Sequence, residues 1–267
     1  MPPTAMLLLT TMAVAWGCAG PGTGTPDTTA PAPATAEAEA ETDADADADA
    51  ETEHAPHAAG GGNEHHEHHH HGHMQHRFAD VESYAARWND PARDAWQRPA
   101  DIVAAMAIEP GMIVADLGVG TGYFVPHLAE AVGEEGAVLA VDIEQGMLDF
   151  VEALADEAEL RQVRTVLAAM DDPRLEPGSV DRILTVNTWH HIAERAAYGV
   201  HLREALRSGG ALWVVDFHEG STHGPPAHHR IPAEVVVAEL EAAGFEAEVI
   251  SLELERQYVV VGRVPAP

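Results

Sequence analysis

Val114-Ala-Asp-Leu-Gly-Val-Gly-Thr-Gly-Tyr-Phe124 carries an apolar run into three alternating glycines and then into a segment with helical spacing. Glycines at 118, 120 and 122 let the backbone turn sharply and approach a ligand with no Cβ in the way. The helix that follows presents N–H groups at its N-terminus, where an anion such as a carboxylate can sit. A dinucleotide fingerprint needs Gly-x-Gly-x-x-Gly, and position 123 is Tyr, so the third glycine of that pattern is missing.

Outward from this loop, apolar runs alternate with amphipathic segments, which is the pattern of an α/β fold with a mostly parallel, doubly wound sheet. Strands are expected at Ile113 to Val119, Ala137 to Ile143, Val163 to Ala168, Val180 to Asn187 and Ala211 to Phe217. Helices are expected near Tyr123 to Val132, Gln145 to Ala158, Ala193 to Arg207 and Pro232 to Ala243, with Asp94 to Ile108 as a capping helix before the first strand. Gly209-Gly210 reads as a helix stop and a turn into a buried strand. The runs Glu246 to Leu254 and Gln257 to Val264 are separated only by Glu255-Arg256, so an antiparallel hairpin is expected to close a seven-stranded sheet.

The acids along this chain fall at the strand ends. Asp142 ends the second strand in Val141-Asp-Ile143, where a carboxylate can accept both hydroxyls of a ribose at the carboxyl edge of the sheet. Met170-Asp-Asp-Pro-Arg-Leu175 follows the third strand, where an acid can accept from the exocyclic amine of adenine. The glycine loop, Asp142 and the Asp171-Asp172 pair lie in order along one edge. With the terminal hairpin, they resemble the class I S-adenosylmethionine-dependent methyltransferases, nearest the small-molecule branch that includes quinone-biosynthesis and arsenite methyltransferases.

That resemblance covers residues 77–267 and implies S-adenosyl-L-methionine as cofactor and a small molecule as methyl acceptor. Asp116, Gly118, Gly120 and Gly122 would then form the methionine-side loop, Asp142 with Ile143 the ribose station, and Asp171 with the Asp172 backbone the adenine station. Asn187-Thr-Trp-His-His-Ile192 matches the segment after strand four that lines cofactor and substrate in this branch, so Asn187 joins the cofactor set, with His190 or His191 as general base. The usual Pro-Gly-Gly turn is here Ser208-Gly-Gly210. The clustered cysteines of an arsenite enzyme are absent, which argues against arsenic as substrate. Methyl transfer by this mechanism requires no metal.

Several residues admit two readings. Asp116 is a methionine-side residue or a cap of the glycine turn; Asp142 is the ribose acid or an ordinary strand-end acid. Asp171 and Asp172 precede Pro173 and suit an Asx-type turn as well as an adenine contact. His190 and His191 are a base or a helix-entry pair bonded to backbone. Arg93-Asp-Ala-Trp-Gln-Arg-Pro99 is a lid over the cofactor or a packing segment with Trp88 and Trp96 in the core. His218, His223, His228 and His229 lie on a Gly- and Pro-containing loop, as metal or substrate contacts or as a solvated stretch.

The first 76 residues are of another kind. Met6 to Trp16 has the length of a signal-peptide apolar region and ends at Ala15-Trp16-Gly17-Cys18, which resembles a bacterial lipobox. Residues 1–18 are therefore expected to direct export, with the lipidated Cys18 as the membrane contact of a cell-envelope lipoprotein; if the signal is not used, the chain stays in the cytoplasm. Residues 19–76 are rich in Pro, Thr, Ala, Asp, Glu, Gly and His, have no large aliphatic residue before Met74, and are expected to form a disordered tether. Ten of the 18 histidines fall between His54 and His76, a density that binds divalent metal whether the run serves as a metal buffer or as a polar spacer.

Composition narrows the function classes. The formal charge is −30, from 44 acidic against 14 basic residues, all of them Arg, so a basic groove for nucleic acid is excluded. Cys18 is the single cysteine, which excludes an internal disulfide and a cysteine-built zinc site. The expectation is a methyltransferase domain at 77–267. A reading from a different class stays open: an exported protein whose His run captures metal, with the methyltransferase fold degenerate. The cytosolic origin of S-adenosylmethionine favours that alternative, and the retained glycines and acids favour the enzyme.

Overall fold

The computed structural model describes residues 81–265. The expected signal and lipobox at 1–18, the tether and His run at 19–76, and the first residues of the expected domain lie outside the described residues. Three short helices, α1 (Val81–Trp88), α2 (Asp94–Gln97) and α3 (Pro99–Ala105), lead into β1 (Ile113–Leu117). The chain continues through α4 (Val125–Val132), β2 (Ala137–Asp142), α5 (Gln145–Glu157), β3 (Val163–Leu167) and β4 (Val180–Val186). It ends with α6 (Arg195–Ala205), β5 (Leu206–Phe217), α7 (Ala233–Ala242), β6 (Glu246–Ile250) and β7 (Gln257–Arg263).

The seven strands form one sheet in the order β3-β2-β1-β4-β5-β7-β6. Strands β1 to β5 pair in parallel, and β7 runs antiparallel between β5 and β6. This is the expected doubly wound, mostly parallel sheet with its antiparallel C-terminal pair. From β1 the chain winds outward through β2 and β3, then returns to β4 on the other side of β1. The winding therefore reverses between β1 and β4, and it is at the carboxyl ends of strands at such a switch point that open α/β sheets bind ligands.

Period-two alternation divides the apolar side chains between the two faces. Ala115, Leu117, Ile183, Leu212, Val214 and Val260 pack with Trp189, Leu202 and Leu240 under α6 and α7. Val114, Val138, Leu184, Trp213 and Val261 pack with Ile102, Phe124 and Leu128 under α3 and α4. Ile183 and Leu184 are neighbours on β4 pointing to opposite faces, and both are fully buried. Truncating either to Ala costs roughly 2–5 kcal/mol.

Three elements differ from the sequence reading. Gly209-Gly210, expected as a helix stop and a turn before a strand at Ala211, lie inside β5, which starts at Leu206 directly after α6 and takes them up at an irregularity in its pairing with β4. The expected helix Asp94 to Ile108 is broken at Arg98, which adopts φ 50° because the ring of Pro99 disfavours helical backbone in the residue before it; Pro99 then starts α3. The expected two-residue hairpin turn is replaced by a six-residue connection, since β6 ends at Ile250. Leu254, only 9% exposed, folds into the α3/α4 face, and Arg98 Nη1 donates to the Glu253 carbonyl at 2.6 Å. Burial of Leu252 and Leu254 draws this stretch out of the ladder although its residues suit a strand. Trp88 and Trp96 are only half-buried, and it is Gln97 and Pro99 that the segment buries.

Candidate functional site

The glycine loop lies at the carboxyl end of β1. Gly118 has φ +72° and a Cβ placed on it would lie 2.3 Å from Thr188 Oγ1, so both its conformation and its close approach to the segment after β4 demand glycine. The loop is held largely by its own backbone. Gly118 and Val119 donate N–H to the Val141 carbonyl at 2.8 and 3.1 Å, Gly122 to Val119 at 2.9 Å, and Val125 to Gly122 at 3.0 Å. Gly120 N–H goes to Asp142 Oδ2 at 2.9 Å. Of the N–H groups expected free at the helix N-terminus, that of Val125 is already taken, and the loop before it spends those of Gly118, Val119, Gly120 and Gly122 on protein acceptors.

Asp142 is the clamp of this region. One carboxylate oxygen takes Gly120 N–H and the other takes Glu144 N–H at 3.0 Å, so the side chain is fixed at the strand end with lone pairs to spare. Burial raises its pKa, and the backbone N–H groups oppose that rise. Next to it, Ile143 is 48% exposed and Met170 is 58% exposed, two large apolar side chains presented at the same edge. Asp116 is almost completely buried beneath the loop; desolvation, with the Asp142 charge adding to it and Arg93 opposing, pushes its pKa up to about 7.

Asp171 and Asp172 follow β3 in a tight turn, with Ala169 and Asp172 exchanging backbone hydrogen bonds. Asp172 Oδ1 accepts Arg174 N–H at 2.7 Å, an Asx turn that supports Arg174 at φ 53°. Its side chain is therefore occupied locally, while Asp171 stands exposed at the tip.

After β4, Asn187 takes a left-handed conformation, φ 55°, and its N–H donates to the Val215 carbonyl at 2.9 Å. The structure separates the two adjacent histidines. His191 is exposed and its ring lies 4.1 Å from that of His190. The His190 side chain is 5% exposed, and its Nδ1 lies 2.9 and 3.0 Å from the two oxygens of Asp216, itself 2% exposed. Asp216 is further fixed by Phe217 N–H at 2.8 Å and His190 N–H at 3.3 Å. An ionised carboxylate only accepts, so Nδ1 carries the proton, and in the neutral ring the lone pair is on Nε2. Sequence reasoning missed Asp216; its signal was one acid embedded in the apolar run Ala211-Leu-Trp-Val-Val-Asp-Phe217.

The N-terminal segment lies against the glycine loop from the other side. Asn89 and Thr121 exchange two hydrogen bonds, 2.8 and 2.7 Å, and Trp88 comes within 3.6 Å of where a Cβ on Gly120 would stand. Arg93 sits 4.0 Å from the centre of the Tyr123 ring, and the Tyr123 hydroxyl donates to Asp94. Arg93 also donates to Gln97 Oε1 at 3.1 and 3.3 Å, Gln97 Nε2 to Gln257 Oε1 at 2.6 Å, and Gln257 Nε2 to Asn187 Oδ1 at 2.6 Å. Gln97 is fully buried and Gln257 is 4% exposed. Nothing local in the sequence marks this chain, whose middle link joins residues 160 positions apart.

The loop histidines are dispersed. His218 Nε2 lies 3.0 Å from the Glu255 carbonyl and His223 Nδ1 2.9 Å from Thr222 Oγ1, while the rings of His228 and His229 meet edge to face. Among the described residues no group of three or more His, Cys, Asp or Glu side chains is gathered as for a metal ion. Arg230 holds this loop together, donating to the carbonyls of Glu219, Ser221, His223 and Pro225.

Comparison with known proteins places this geometry. Residues 114–210 match the model of a methyltransferase domain family. An uncharacterised 37.1 kDa protein in transposon Tn4556 of Streptomyces fradiae is 33% identical over 108 residues, 40% of this chain and 31% of that protein. A ubiquinone/menaquinone biosynthesis C-methyltransferase of Shewanella frigidimarina is 29% identical over 123 residues, 46% of this chain and 48% of that protein. The chain thus spans 31% and 48% of the length of these two curated relatives. Among solved structures, a SAM-dependent methyltransferase from Aquifex aeolicus superposes with a TM-score of 0.65 at 24% identity, covering 69% of this chain and 98% of that one. The fold is the Rossmann-like methyltransferase fold.

Proposed function

We propose that the chain is an S-adenosylmethionine-dependent methyltransferase that acts on a small-molecule acceptor. The observation that carries this reading is the clamp at the β1/β2 carboxyl edge, set within a stretch that matches a methyltransferase domain. Asp142 is fixed by two backbone N–H groups beside a loop of three left-handed glycines, with Ile143 and Met170 exposed next to it. These residues fit the cofactor: a rigid carboxylate for ribose hydroxyls, apolar side chains for the adenine faces, and a loop stripped of Cβ atoms for the methionine half.

When bound, S-adenosylmethionine supplies an electrophilic methyl group on a sulfonium. The protein's own contribution is alignment and proton removal. The carboxyl edge at β1 and β4 holds the acceptor's nucleophile in line, which supplies most of the rate advantage. His190 takes the proton the acceptor loses, through the Nε2 lone pair that Asp216 leaves available, a role that contributes roughly 10²–10⁴-fold. Asp216 touches no substrate and acts only by orienting His190.

Calorimetric titration of S-adenosylmethionine and S-adenosylhomocysteine into the full chain tests the reading. Micromolar binding to the wild type that disappears in Asp142→Ala is expected; no binding to folded protein would overturn it. The quinone-type acceptors named for the Shewanella relative are a starting panel for an acceptor screen. For location, the sequence supports export with Cys18 as lipid anchor, and a full-length band confined to the soluble cytosolic fraction would contradict it.

A further inference from the structure

The polar chain from the N-terminal segment to the end of β4 has a direction, and this direction is a consequence of chemistry. A guanidinium has only donors, so Arg93 fixes Gln97 with Oε1 toward it and Nε2 away. Gln97 Nε2 then requires Oε1 of Gln257, and Gln257 Nε2 requires Oδ1 of Asn187. Each carboxamide is forced by the one before it. The Asn187 nitrogen, Nδ2, is thereby the group turned away from Gln257, a double donor on a half-buried side chain that meets no acceptor among the described residues.

Its position matters. Asn187 precedes Thr188, whose side chain closes against Gly118, while at the other end of the chain Arg93 lies on the ring of Tyr123, just after Gly122. The relay therefore brackets both ends of the loop assigned to the methionine half of the cofactor. That loop has spent the N–H groups of Gly118, Val119, Gly120 and Gly122 on protein acceptors, so a carboxylate arriving there gains from a further donor beside the loop.

We propose that Arg93, Gln97 and Gln257 are positioning residues that hold Asn187 with its amide nitrogen turned away from Gln257, as the hydrogen-bond donor to the α-carboxylate of the cofactor's methionine half. This rests on the cofactor reading above and goes beyond it, because it makes a cofactor contact depend on Arg93 just before α2, Gln97 of α2 and Gln257 of β7, which act through Asn187. It also couples order in the 93–97 segment to cofactor affinity. Loosening that segment releases the Asn187 amide to rotate.

The test uses the full chain and two ligands. S-adenosylhomocysteine carries the carboxylate; 5′-methylthioadenosine keeps the adenosine and the sulfur but lacks the amino-acid half. Gln257→Glu still accepts from Gln97 but can no longer donate, so Asn187 turns its nitrogen inward and presents Oδ1 to the carboxylate. S-adenosylhomocysteine affinity is expected to fall roughly ten- to a hundred-fold, the range of a hydrogen bond to a charged group, with methylthioadenosine affinity unchanged. Asn187→Ala should show the same selective loss, and Gln257→Met, which is uncharged and of similar length, serves if the Glu variant does not fold. Equal losses for both ligands would make the relay merely structural and overturn the proposal, as would no loss for either. Failure of the wild type to bind S-adenosylhomocysteine would instead strike the cofactor reading itself.

Discussion

The carboxyl edge of the sheet is built in two ways. Its β1/β2 half is backbone architecture: left-handed glycines, amides turned back onto Val141, and one carboxylate clamping Gly120 and Glu144. Its β4/β5/β7 half is side-chain architecture, in which Asp216 orients His190 and three amide groups orient one another behind Arg93. Backbone architecture gives a fixed shape and tolerates little substitution. Side-chain architecture fixes which atoms donate and which accept, and a single isosteric change can reverse it without moving the chain.

The largest expected effect lies in the first half. Asp116 sits beneath the loop with its pKa raised to about 7 from an ordinary 3.8. The folded protein therefore holds this proton more tightly than the unfolded chain. Stability is greatest below the unfolded value and declines as pH rises toward 7, where the ionised carboxyl must be kept buried. At roughly 1.4 kcal/mol for each tenfold change in proton affinity, the loss amounts to up to about 4 kcal/mol. Urea unfolding of the wild type and Asp116→Asn should give curves that diverge in favour of the variant between pH 4 and pH 8; parallel curves would show that the carboxyl is solvated.

Gly118→Ala comes next. The added Cβ would meet Thr188 Oγ1 at 2.3 Å in a backbone conformation that alanine avoids, and the combined overpacking and strain should cost about 3 kcal/mol. Adding Thr188→Ala should recover only part of that loss, because Thr188 Cβ itself lies 2.8 Å away and the positive φ remains. Full recovery would mean that the backbone half is less rigid than its hydrogen bonds suggest.

The same division explains what can be read from the sequence. Glycine spacing, the acid at the end of β2 and the alternation of apolar residues are local patterns, so the sheet, the glycine loop at the end of β1 and the position of Asp142 are all legible in the order of residues alone. The exceptions are themselves local conflicts: Pro99 overrode a continuous helical pattern, and the burial of Leu252 and Leu254 overrode strand propensity. The second half escaped because its contacts are between distant residues. His190 and Asp216 are 26 positions apart, and Asn187 and Gln257 are 70 apart. Gln97, Gln257 and Asp216 belong to residue types that usually face solvent, and only the fold reveals that each is buried with a partner.

The smallest stability effect should therefore carry the clearest change of chemistry. Asp216→Asn keeps the shape of the side chain and an oxygen for Phe217 N–H but sets its NH2 against His190 N–H, which Oδ2 accepted, so the fold should lose about 2 kcal/mol, the scale of one buried donor left without its acceptor. The amide nitrogen takes the place of Oδ2, a donor 3.0 Å from Nδ1, while the retained oxygen is engaged by Phe217 N–H, and this favours Nδ1 as acceptor over the wild-type tautomer. The proton moves to Nε2, the nitrogen proposed to receive the acceptor's proton. Long-range ¹⁵N–¹H correlation of the His190 ring should report an Nδ1–H tautomer in the wild type and Nε2–H in Asp216→Asn, with S-adenosylmethionine affinity unchanged in both. A large loss of stability with no change of tautomer would make the pair a packing device and leave the site without its oriented base. A tautomer switch at so small a loss of stability would show the side-chain half working as a set of donor and acceptor assignments, which the backbone half, fixed by Gly118 and its neighbours, has no means to reverse.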